Sequence, residues 1–74
     1  MNFRKATDAL LESVTLQDLA DALGVSLQTV RQARADEGST AYRSPPPEWQ
    51  AAARKLALRA AARYSRLADH LADD

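Results

Sequence analysis

The residues able to do covalent chemistry are few. His70 is the only histidine and the chain has no cysteine. No Cys, His or carboxylate partner stands at ligand spacing from that imidazole, and no nucleophile–base pair or glycine-rich phosphate loop occurs. The reading is a non-enzyme with no catalytic residue, no metal and no cofactor. What remains is hydrogen-bonding chemistry, concentrated between Ser26 and Arg34. That stretch reads Ser-Leu-Gln-Thr-Val-Arg-Gln-Ala-Arg and carries hydroxyls, amides and guanidinium groups without one carboxylate. Gln can make paired hydrogen bonds to adenine, Arg can pair with guanine, and an apolar side chain can touch a thymine methyl. Short hydroxyls at a helix start suit phosphate oxygens, helped by the positive end of the helix dipole. Leu27, Gln28, Arg31, Gln32 and Arg34 are therefore expected on an outward face, with Ser26 and Thr29 as phosphate contacts.

Those residues need a scaffold, and the preceding stretch supplies one. Thr15 is a natural N-cap, with Asp18 at the capping-box spacing and Val14 and Leu19 at the positions of a hydrophobic staple. Leu16, Leu19, Ala20 and Leu23 fall on one helical face. Gly24 follows the last of them, where a left-handed residue can end a helix without a Cβ clash. Val25 is expected to turn inward, and Ser26 caps a second helix running from about Leu27 to Asp36. Val30 and Ala33 would face the first helix of the pair, and Ala20 is small enough for a close crossing. Two short helices joined by a tight turn, the second aimed at a DNA major groove, is the expectation.

Val14-Thr15-Leu16, Asp18, Ala20, Gly24-Val25-Ser26 and Gln28-Thr29-Val30 resemble the headpiece motif of lactose-repressor-type regulators, within the lambda-repressor-like group. The resemblance implies Leu27, Gln28 and Arg31 as base readers and Thr15, Ser26 and Thr29 as phosphate contacts. Arg31 stands where that family usually has serine, a helical segment precedes the motif, and the region after it does not look like the family's hinge.

The flanks complete an all-α reading: a helix-turn-helix three-helix core over 1–37, a proline-containing linker over 38–47 and a long helix over 48–72, in one domain. Met1 to Ser13 is the first helical pattern, capped by Asn2, with Phe3, Ala6, Leu10 and Leu11 on one face. Gly38 is expected as the residue that closes the reading helix. Tyr42 and Arg43 stand beside it as packing or phosphate-contacting residues. Ser44-Pro45-Pro46-Pro47 is an extended strut, with Pro47 at the first position of the long helix. That helix carries an apolar stripe at Trp49, Ala53, Leu56, Ala60, Tyr64, Leu67 and Leu71. The mean step of about 3.67 residues is sustained over its whole length. The stripe is longer than a three-helix core needs. Trp49 and Leu56 are expected to pack inside the subunit, and Tyr64, Leu67 and Leu71 against a second copy. Lys55, Arg59, Arg63 and Arg66 line a flank, read as keeping the helix soluble.

A chain of 74 residues buries only about 60% of its unfolded surface, so self-association would help it. Ten basic and ten acidic residues cancel, which counts against strong non-specific DNA binding. Even so, Val25 to Ala35 holds two arginines and no acid. No apolar run approaches membrane length and the start does not read as a secretory signal, so the expected setting is the cytoplasm, with no membrane partner. The alanine and arginine richness of the second half fits a bacterial or phage source. The expected partners are double-stranded DNA and a second copy in a homodimer, and a larger protein partner is left open. The reading is thus a sequence-specific transcriptional regulator. The alternative is a helical protein-interaction module, an anti-repressor or assembly subunit, that uses the long helix.

Overall fold

A computed structural model describes residues 1–72; Asp73 and Asp74 lie outside it. Within these residues the chain forms four helices: α1 (Phe3–Leu10), α2 (Leu16–Leu23), α3 (Leu27–Ala33) and α4 (Trp49–Ala72). The long α4 lies against α1 and α2, and α3 lies against α2. No helix of the described residues is long and apolar enough to cross a membrane.

Each short helix starts at a cap that the sequence supplies. The Asn2 side chain accepts from Lys5 N at 2.8 Å. The Thr15 hydroxyl accepts from Asp18 N at 3.0 Å while the Asp18 carboxylate accepts from Thr15 N at 2.9 Å, so the capping box closes with Asp in place of Glu or Gln. The Ser26 hydroxyl accepts from Thr29 N at 3.1 Å. Gly24 sits at φ 69°, ψ 30°. Its N–H donates to the Asp21 carbonyl at 3.2 Å, and Val25 N donates to the Ala20 carbonyl at 3.0 Å. These are the two bonds of a Schellman ending, and they turn the chain within three residues from α2 to α3.

The core is built from Leu10, Leu19, Ala20, Val30 and Leu56, with Leu11, Val14, Leu16, Leu23, Val25 and Ala53 packed around it. Ala20 is 0% exposed, so α2 and α3 meet over a side chain no larger than a methyl group. Phe3 and Trp49 clamp α1 to the start of α4, their rings 5.2 Å apart and nearly perpendicular. Edge-to-face packing of this kind suits the ring quadrupoles. The centre of the buried face of α1 is Thr7, between Phe3 and Leu10, whereas Ala6 is only half-buried.

Four boundaries differ from the sequence reading. Helix α1 ends at Leu10 and not Ser13, since Glu12 N and Ser13 N donate one residue tighter, to the Ala9 and Leu10 carbonyls. Helix α3 stops at Ala33 and not Asp36: Arg34, whose N still donates to the Val30 carbonyl at 3.0 Å, caps it, and Ala35 N donates one residue tighter, to the Gln32 carbonyl at 3.3 Å. Asp36 and Glu37 would also have extended the helix with two acids at its negative end. Gly38 does not close α3; among the described residues only Gly24 has positive φ. Pro47 lies outside α4, at the second position of a turn in which Trp49 N donates to the Pro46 carbonyl at 3.1 Å. Proline's fixed φ suits that turn position as well as it suits a helix start.

Candidate nucleic-acid interface

The outward face of α3 follows from what its inner face buries. Val30 and Ala33 are buried, so residues on the opposite side of a seven-residue helix must face solvent. Gln28 and Arg31 are exposed. They stand three residues apart, hence side by side on one edge. Leu27, Thr29 and Gln32 are half-buried and flank them. Among the described residues Arg31 makes no ion pair.

The start of α3 offers a hydroxyl pair. Ser26 Oγ and Thr29 Oγ1 are 2.9 Å apart. Their mutual bond uses one of the two hydroxyl hydrogens, and the Ser26 oxygen already accepts from Thr29 N. One O–H remains to donate to an anion oxygen. Thr15, at the start of α2, is exposed; its hydroxyl oxygen accepts from Asp18 N, and the hydroxyl lies against the Asp18 carboxylate.

Arg34 does not join this face. Its Nε donates to Thr7 Oγ1 at 2.9 Å, and its terminal nitrogen pairs with the Asp8 carboxylate. The guanidinium is half-buried between α3 and α1, so it fastens the two helices together. The sequence reading placed it outward because the helix was drawn past it. Ending at Ala33, the helix releases Arg34 to turn back.

The segment after α3 returns to it. Arg43 N donates to the Gln32 carbonyl at 3.2 Å, which sets an exposed arginine beside the end of α3. Its guanidinium donates to the Thr40 and Tyr42 carbonyls at 3.2 and 2.8 Å. Tyr42 is half-buried and lines a hollow with Phe3, Ala33, Pro45 and Trp49, so it sits on the packing side. The bond from Arg43 N joins backbone groups eleven positions apart, which carry no sequence signature.

Helix α4 presents two different faces. Lys55, Arg59 and Arg63 line a groove of about 550 Å³ opposite Asp18 and Asp21 of α2. Arg63 donates to the Ser13 carbonyl at 3.2 Å. The Thr15 backbone N–H and hydroxyl hold the Asp18 carboxyl below its ordinary range, and the Arg63 charge adds to the effect. The basic flank of α4 is thus turned toward acids of its own chain. On the apolar stripe, Leu56 is buried and Trp49 half-buried, whereas Tyr64, Leu67 and Leu71 are 54%, 49% and 63% exposed.

Comparison with known protein families, with characterised proteins and with solved structures finds no match to this chain.

Proposed function

We propose that the protein is a sequence-specific DNA-binding transcriptional regulator, in which α3 enters the major groove of double-stranded DNA and a second copy binds the adjacent half-site. The observation that carries this reading is the outward face of α3. It holds Gln28 and Arg31, is preceded by the Ser26–Thr29 hydroxyl pair, and has no acid between Val25 and Ala35. In this reading Gln28 and Arg31 read bases with Leu27 and Gln32 beside them. Ser26, Thr29 and Thr15 contact phosphates and Arg43 flanks the groove. The resemblance to lactose-repressor-type headpieces implies the same roles for Leu27, Gln28, Arg31, Thr15, Ser26 and Thr29.

The electrostatics set the scale. With Arg31 on a base edge, Arg43 is the cationic side chain beside α3 that is left for phosphate, so each subunit neutralises about one phosphate and log K falls against log salt with a slope of about −0.9 per subunit. A dimer would give about −1.8 by the same rule. This is a shallow dependence, and base contacts must then carry most of the discrimination. The test is selection from a random duplex library at moderate and high salt, followed by sequencing. An enriched palindrome with half-sites about one helical turn apart is expected. No enrichment at either salt refutes the reading.

A second reading is favoured by one observation: the end of α4 carries an exposed apolar stripe of Tyr64, Leu67 and Leu71. It makes the chain a helical protein-interaction module, with α4 as its contact surface. Duplex binding with the salt slope above would eliminate it as the primary role.

A further inference from the structure

A groove of about 560 Å³ runs between α1 and α4. Alanines line much of it, Ala6 and Ala9 from α1 and Ala53, Ala57, Ala60 and Ala61 from α4, with Leu10 beside them, Trp49 and Arg54 at one end and Tyr64 at the other. Past the end of α1, the same stripe of α4 changes character. It continues with Tyr64, Leu67 and Leu71, all about half exposed or more. One helix thus carries a hollow at one end and large side chains at the other.

The distances along the chain match the two ends to each other. Leu71 and Ala53, Leu67 and Ala57, and Tyr64 and Ala60 are three pairs symmetric about residue 62. Two copies of α4 laid antiparallel at that level bring each of these three large side chains over an alanine in both copies at once, Ala57 exposed, Ala53 half-buried and Ala60 buried at the groove floor. A parallel pair would instead stack Tyr64 on Tyr64 and Leu67 on Leu67, and would leave both hollows empty. The antiparallel pair is two-fold and closed, so association stops at two.

The exposed area is what a dimer needs. The described chain exposes 5327 Å², against about 4,500 Å² for a folded monomer of its mass. The excess of about 800 Å² equals one partner's share of a standard stable interface. The radius of gyration is 14.4 Å, where a compact domain of this length has about 11 Å. The protruding end of α4 is the source of both differences. Formal net charge is zero, so no long-range repulsion keeps two copies apart.

We infer that the α1–α4 groove seats the Tyr64–Leu71 end of α4 from a second copy, in an antiparallel pair centred at residue 62. This rests on the dimer in the reading above and specifies its surface and register. Since the chain has no cysteine, single thiols report the register directly. Ala57→Cys and Leu67→Cys are both at exposed positions and are made as separate proteins, each checked for unchanged helicity by circular dichroism. They are then oxidised alone and as an equimolar mixture, and read by intact mass. The mixed disulfide should form in the mixture, with neither variant cross-linking to itself. Self-cross-linking of Leu67→Cys indicates a parallel pair and overturns the inference. Ala61→Glu, also exposed, should halve the mass seen by light scattering at unchanged helicity; a retained dimer overturns the inference. So does a monomeric unmodified protein. Failure of DNA binding by the unmodified protein leaves the cross-link pattern intact, so the two readings fail separately.

Discussion

The tie between α1 and α3 makes a quantitative prediction. Thr7 is 0% exposed. Its hydroxyl donates to the Phe3 carbonyl at 2.8 Å and accepts from Arg34 Nε at 2.9 Å. Thr7→Val keeps the volume, so no cavity forms and only the polar contacts are lost. The Phe3 carbonyl keeps its helical partner, and the lost bond there costs little. The Arg34 Nε is left half-buried without its acceptor, and a hydrogen bond to a charged group contributes about 1.5–3 kcal/mol. Thr7→Val should therefore destabilise the fold by about 2 kcal/mol. Arg34→Ala removes the same bond together with the Asp8 pair. Asp8 is 56% exposed, so that pair adds less than about 1 kcal/mol. Because one bond is shared, the double variant should cost little more than either single, with a coupling of about 1–2 kcal/mol. The assay is urea unfolding followed by circular dichroism, with the midpoint read at constant slope. Additive singles would refute the shared bond, and so would Asp8→Ala costing more than Thr7→Val.

Other predictions follow from the same structure. Gly24→Ala should cost about 1–2 kcal/mol, because φ is +69° and an L-residue there meets its own carbonyl. Gly38→Ala, with open space around the new Cβ and no positive φ, should be neutral or slightly stabilising; the contrast is read by thermal melting of the two variants. Asp18 has a lowered folded-state pKa, so its contribution is present above the unfolded value of about 3.9 and is lost as pH falls below it. Asp18→Asn should flatten the acid limb of a stability–pH curve, and an unchanged limb would show that other carboxylates dominate. Arg31→Ala should weaken binding to a selected duplex by about 1–3 kcal/mol and relax preference at one base pair. Arg34→Ala should instead lower stability, with duplex specificity unchanged for folded protein, as followed by fluorescence titration against matched and mismatched sites.

What the sequence determined is local. The caps at Asn2, Thr15 and Ser26, the capping box with Asp18 and the left-handed Gly24 all join residues within a few positions of each other. Such contacts form wherever the backbone is helical, so residue type and spacing suffice to read them. The crossing at Ala20 and the inward faces of α2 and α3 were legible for a related reason: helical periodicity is a property of one segment. The division of the α4 stripe into a buried start and an exposed end was also legible, from the length of the stripe against the size of the core.

The tertiary structure decided what depends on residues far apart in the chain. Arg34 finds Thr7 and Asp8 across more than twenty positions, which removes it from the outward face. Thr7 is buried only because Arg34 and two helices surround it; its type alone reads as a surface threonine. Arg63 reaches Ser13, and Arg43 reaches Gln32, through backbone carbonyls that carry no sequence signature. The basic flank of α4 looked like a solvated surface, and its facing of Asp18 and Asp21 became visible only once α2 and α4 were packed. Pairings of this kind are fixed by how whole helices dock, through the burial of apolar faces. The polar side chains at the seams take whatever partner that docking brings within reach.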